Sequence, residues 1–115
     1  MNFPANTNAN RYSGTDRREY RRVRYVAPVE IEWGESIERG RTSNLSLGGM
    51  LVEMGNPLWL GAEFRARLRL EPAPVEVDCV VRRIIAGVGI AVEFTRMKPD
   101  DRERLQHLIE SLPCY

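Results

Sequence analysis

Between Phe64 and Leu70 the chain alternates strictly, with Phe64, Ala66, Leu68 and Leu70 interleaved by Arg65, Arg67 and Arg69. A period of two puts the apolar set on one face of an extended segment and the arginines on the other, which makes this a half-buried strand. The same period recurs along the chain. Val29, Ile31 and Trp33 alternate with Glu30 and Glu32 in a strand read over 26–33, with Pro28 near its start or at an edge. Val75, Val77, Cys79 and Val81 follow the Pro72-Ala73-Pro74 turn, and Val88, Ile90, Val92 and Phe94 follow Gly87. Residues 34–40 read as a polar connection into a strand over 41–47, and Gly48-Gly49 separates that strand from the apolar run 50–54. Six short strands with turn residues between them predict a mainly β fold, a small antiparallel barrel whose closure removes exposed edges.

The period changes once. Leu105, Leu108, Ile109 and Leu112 are spaced i, i+3, i+4, i+7, Pro99 suits the first helical position, and Asp100 and Asp101 complement the positive end of the helix dipole. A C-terminal amphipathic helix over 99–112 is expected, docked on the barrel as a lid or flank. At 115 residues the chain has room for one modest core. Residues 1–15 are rich in Asn and have little to bury, so they are expected to form a flexible tail. The longest stretch without polar side chains, 84–92, falls well short of the roughly 20 residues of a membrane helix, and the N-terminus lacks the basic start and apolar core of a secretory signal. A cytoplasmic location without membrane insertion is the resulting expectation. Cys79 and Cys114 are distant in sequence and read as reduced.

Catalytic and metal chemistry find little to work with. His107 is the one histidine and falls opposite the apolar stripe of the expected helix; no Cys/His cluster has metal-ligand spacing, and Gly87-Val88-Gly89 lacks the rest of a dinucleotide fingerprint. The chain reads as a binding module, with no metal and no cofactor, rather than as an enzyme. Its 17 basic and 16 acidic side chains leave a net charge of +1, so any charge signal is local. It is concentrated over 11–24, where Arg11, Arg17, Arg18, Arg21, Arg22 and Arg24 against Asp16 and Glu19 give +4. Lys98 is the lone lysine of the chain. Guanidinium forks suit phosphate oxygens and the O6/N7 edge of guanine, and their flat faces stack on bases. A second candidate lies at Asn44-Leu45-Ser46-Leu47-Gly48-Gly49. Asn44 and Ser46 point the same way on an extended chain, and Gly49 permits a close backbone approach. Each segment alone also reads as ordinary solvated surface.

Together the two segments resemble the PilZ domain, the bacterial receptor module for cyclic di-GMP. Arg18-Glu19-Tyr20-Arg21-Arg22 matches the RxxxR signature ahead of the first strand, and Asn44-Leu45-Ser46-Leu47-Gly48-Gly49 matches (D/N)xSxxG, in the same order and about two dozen residues apart. Arg17 and Arg21 also satisfy RxxxR, so a second register is open, although RREYRRV is closer to the usual run. The stretch 87–94 is similar to the family's closing strand. The resemblance covers 16–112 and implies an arginine-rich ligand-wrapping segment at 16–24, a PilZ-type barrel at 25–95 and the helix at 99–112, in a stand-alone domain. It implies a receptor for cyclic di-GMP, often bound as an intercalated dimer. Arg18 and Arg22 would engage phosphate and guanine with Arg17 as an auxiliary contact, Asn44 and Ser46 would read a guanine edge, and Gly49 would keep the turn tight. Asn44 stands where many members have Asp. The implied output is regulation of a separate effector protein through a conformational change, without nucleic-acid polymer. Two alternatives stay open: a PilZ-like docking module that binds no nucleotide, and a small RNA-binding barrel.

Overall fold

Six antiparallel strands and one helix account for about two thirds of residues 20–114, the part that the computed structural model describes; the expected tail over 1–15, and Arg17 and Arg18, lie outside the described residues. The strands are β1 (Val23–Trp33), β2 (Ser36–Leu45), β3 (Gly49–Glu53), β4 (Glu63–Leu68), β5 (Val75–Ile85) and β6 (Gly89–Met97), followed by α1 (Pro99–Glu110). They close in the order β1-β2-β3-β6-β5-β4, with β4 pairing back onto β1 through Val29–Leu68 and Ile31–Ala66. Closure satisfies the strand edges, as the alternation predicts.

The largest departure is the β1–β2 connection. Trp33 pairs with Ser36, so the turn is only Gly34 and Glu35, with Gly34 at φ +59°, and most of the expected polar connection over 34–40 is strand. Residues 36–39 are exposed or only half-buried, so that part of β2 carries no apolar alternation and is held by pairing with Glu30–Trp33. β5 and β6 also run past their expected ends, to Ile85 and Met97, because bulges interrupt their alternation.

The inward positions form one core in which Ile31, Leu45, Leu68, Ile90 and Leu105 are fully buried. Burying each of these stabilises the fold by roughly 1.5–3 kcal/mol. From α1, which ends two residues short of the expected 112, Leu105 and Ile109 enter this core; Leu108, and Leu112 just beyond the helix, pack at its margin. Polar contacts fix the helix at the β4–β5 turn: the Glu76 amide donates to Asp101 Oδ2 at 3.3 Å, and the Arg104 guanidinium donates to the carbonyls of Ala73 and Pro74. Beyond α1 the chain returns to β1, where Cys114 bridges to Val23 and Arg21 Nη2 donates to the Leu112 carbonyl at 2.6 Å. Cys79 is buried and Cys114 exposed, both with free thiols; burial pushes the Cys79 thiol far above its usual range, so it stays protonated. No helix among the described residues is long and apolar enough to cross a membrane.

Candidate ligand-binding site

Three β-bulges shape the outer face of the β2-β3-β6-β5 wall, and each changes where a polar side chain points. In β2 the register shifts between Thr42 and Asn44, leaving Ser43 unpaired, so that Thr42 and Leu45 are both buried and Asn44 faces outward opposite Leu51. In β5 the shift lies at Arg82, between Val81 opposite Val92 and Arg83 opposite Ala91. In β6 it lies at Thr95, between Phe94 opposite Cys79 and Arg96 opposite Asp78, and the Thr95 hydroxyl donates to the Asp78 carbonyl at 3.1 Å. By strict alternation Asn44 shares a face with buried Thr42, Arg83 with Val77, Cys79 and Val81, and Arg96 with Ile90 and Val92. The extra residue turns each one out, which is how a bulge re-aims a side chain. The register then aligns Asn44, Leu51, Ala91 and Arg83 in one row across four strands.

At one end of this wall the Ser46–Gly49 turn is held from within. Ser46 Oγ accepts from the Gly48 and Gly49 amides, both at 3.1 Å, and donates to the Gly49 carbonyl at 3.3 Å, which uses its whole bonding capacity in the turn. The Ser46 amide also donates to the Gly49 carbonyl at 2.9 Å. Gly49 has no room for a side chain: a Cβ there would lie 2.2 Å from the Val92 carbonyl oxygen. A Cβ on Gly48 would come within 2.9 Å of the Tyr20 ring. The absence of side chains at Gly48 and Gly49 thus lets β3 close on β6 and lets the segment preceding β1 lie against the turn.

These residues line a single open groove of about 500 Å³, with Tyr20, Arg22, Asn44, Ser46 and Gly49 at the turn, Leu51 and Ala91 on the floor, and Arg83, Arg96 and Arg102 from β5, β6 and α1. Of the expected site residues, Arg22, Asn44, Ser46 and Gly49 therefore come together, while Arg17 and Arg18 lie outside the described residues. Arg21 is engaged with Leu112 instead. Tyr20, Leu51, Ala91, Arg83, Arg96 and Arg102 were not singled out from the sequence. For Arg83 and Arg96 the available signal was an arginine at a position that alternation assigns to the core.

The electrostatics of the groove are one-sided. Glu93 is its acidic member and is paired with Arg82 at 2.6 Å. Among the described residues, the guanidinium groups of Arg22, Arg83, Arg96 and Arg102 make no hydrogen bond or ion pair. Uncompensated, planar cations beside an apolar floor and the half-buried Asn44 amide suit an anion that also carries flat, hydrogen-bonding rings. No group of three or more His, Cys, Asp or Glu among the described residues is arranged to hold a metal ion.

Comparison with known proteins agrees with the fold. The family model for the PilZ domain matches residues 16–111. Among solved structures, the Bacillus subtilis inhibitor of motility MotI/DgrA superposes with a TM-score of 0.70 at 29% identity, over 83% of this chain and 50% of that one. The PilZ domain of Escherichia coli YcgR, solved with c-di-GMP, gives 0.67 at 21% identity over 84% of this chain and 91% of that one. The PilZ domain of CeSA from a cellulose-synthesizing bacterium gives 0.64 at 22% identity, over 78% and 95% respectively. The chain thus spans about half the length of MotI/DgrA. No curated protein sequence matches the chain.

Proposed function

The chain belongs to the PilZ domain family, and on that premise we propose that it is a receptor for cyclic di-GMP, acting without catalysis in the cytoplasm as an adaptor for a separate effector protein. The observation that carries this reading is the meeting of both signature segments at one groove: Tyr20 and Arg22 lie beside Asn44, Ser46 and Gly49, and the Arg22 guanidinium is unpaired among the described residues. In this reading Arg22 and Arg18 bond phosphate and stack on guanine, with Arg17 beside them. The engagement of Arg21 with Leu112 favours the Arg18/Arg22 register over Arg17/Arg21. The Asn44 amide reads a guanine edge across the apolar floor of Leu51 and Ala91. Ser46 presents this edge by holding its turn in shape, and Gly49 acts through the close approach of β3 to β6. An intercalated ligand dimer fits the charge of the groove, because one cyclic dinucleotide brings two phosphodiester charges and Arg22, Arg83, Arg96 and Arg102 offer four unneutralised guanidiniums.

The test is isothermal titration with cyclic di-GMP, using GTP as control and Arg22→Ala beside the unmodified chain. Saturable binding that GTP does not mimic, weakened at least a hundredfold in Arg22→Ala, is the expected result. A flat titration, with no shift in melting temperature at high ligand concentration, leaves the nucleotide-independent docking module.

A further inference from the structure

Arginine is the commonest charged residue of this chain, and most arginines of the barrel wall have an acidic neighbour: Arg41 with Glu53, Arg65 with Asp78, Arg67 with Glu76, Arg69 with Glu30 and Arg82 with Glu93. Arg83, Arg96 and Arg102 bond no carboxylate among the described residues, come from three different elements, and line the same groove; Arg96 stands across from Asp78, which Arg65 already holds. None belongs to either signature segment. Two of the three point outward only because a bulge immediately precedes them in the chain, at Arg82 and at Thr95, and both bulges carry their own polar fastening, Arg82 to Glu93 and Thr95 to the Asp78 carbonyl. Turning an arginine outward spares the core a buried charge, but it does not account for both emerging beside one cavity whose carboxylate, Glu93, is already bonded to Arg82.

We propose that Arg83, Arg96 and Arg102 form a second phosphate-binding wall of the groove, on its β5-β6-α1 side, distinct from the arginine segment that precedes β1. The proposal rests on the cyclic di-GMP reading and extends it. A cyclic dinucleotide has two phosphodiesters on opposite sides of its ring, so a site with arginines along one side only would leave one of them to water. The second wall bonds that other phosphate with guanidinium forks, while the bases lie over Leu51 and Ala91. Because Arg102 belongs to α1 and Arg83 and Arg96 to the barrel, the ligand cross-links the helix to the sheet.

Titration of cyclic di-GMP into Arg83→Gln, Arg96→Gln and Arg102→Gln tests this, with Arg22→Ala and Arg39→Gln alongside. Arg39 is also unpaired among the described residues but does not line the groove, so it controls for general loss of positive charge. The expected result is affinity at least tenfold weaker in each of the three wall variants, less than twofold change in Arg39→Gln, and melting temperatures of the unliganded proteins within about 2 °C of one another. Arg83→Lys and Arg102→Lys, which keep the charge and lose the fork, should bind at least threefold more weakly than the unmodified chain. Wall variants that bind within twofold while Arg22→Ala loses binding overturn the second wall and leave the receptor reading standing. An equal loss in Arg39→Gln overturns it as well, since a uniform field would then explain the data. If the unmodified chain itself fails to bind, the receptor reading and the wall fall together.

Discussion

Two sets of arginines on the same barrel behave in opposite ways. On β4, Arg65 and Arg67 stand directly across from Asp78 and Glu76 on β5 and bond them at 3.1 and 2.7 Å, while Arg69 reaches Glu30 on β1 at 3.3 Å. On the other side, Arg83 and Arg96 stand across from Ala91 and Asp78, and Asp78 is already held by Arg65. The residue type is the same in both places, and register decides its use. Cross-strand pairing neutralises the β4 stripe and makes it part of the barrel's exterior, whereas one-residue shifts on β5 and β6 set Arg83 across from an alanine and Arg96 across from a carboxylate already taken, both beside a groove. Arginine content alone is therefore a poor guide to binding in this protein; the informative quantity is arginine with no carboxylate bonded to it.

The contrast can be attacked first through geometry. Gly49→Ala keeps every groove arginine but places a Cβ 2.2 Å from the Val92 carbonyl oxygen, which must push β3 away from β6. It should lower stability by about 1–3 kcal/mol in thermal or urea denaturation and abolish cyclic di-GMP binding. Retention of binding would mean that charge suffices without the shape of the turn. A smaller effect is expected on the paired side. Arg67→Ala removes the bond to Glu76 and should cost up to about 1 kcal/mol in urea denaturation while leaving cyclic di-GMP affinity within twofold. An affinity loss there would erase the distinction between the two sets.

The smallest effect concerns pH. The hydrogen bond from Arg41, with help from Ser43, lowers the Glu53 pKa, so this pair stabilises the fold above the ordinary carboxylate range and its contribution disappears as pH falls through the lowered value. Arg41→Gln should slightly flatten the acid limb of a melting-temperature profile and leave the neutral region of ligand binding untouched. A change in ligand affinity at neutral pH would show that a paired arginine also serves the groove.

Much of the fold was legible because inward and outward positions differ in chemistry. Phe64, Ala66 and Leu68 against Arg65 and Arg67 announce β4 and its facing, and Leu105 with Ile109 announces the buried stripe of α1. The start of β2 was not legible, since Ser36–Arg39 bury nothing on either face, Ile37 included, and are strand only through pairing with β1. Half of the candidate site was legible for a different reason: Arg22, Asn44, Ser46 and Gly49 lie in compact sequence patterns. The other half comes from Arg83, Arg96 and Arg102, which reach the groove from two strands and a helix and share no local pattern.

By itself, then, the sequence determined the class of fold, the helix and the two signature segments, since each follows from periodicity or spacing within a few residues. Only the tertiary structure decided that these segments meet, with the Tyr20 ring against Gly48, and that Arg83 and Arg96 point outward. The reason is that a bulge arises from the relation between two paired strands. The extra residue at Arg82 or Thr95 exists only relative to a partner strand, and the alternation of either strand read alone places the next arginine on the wrong face.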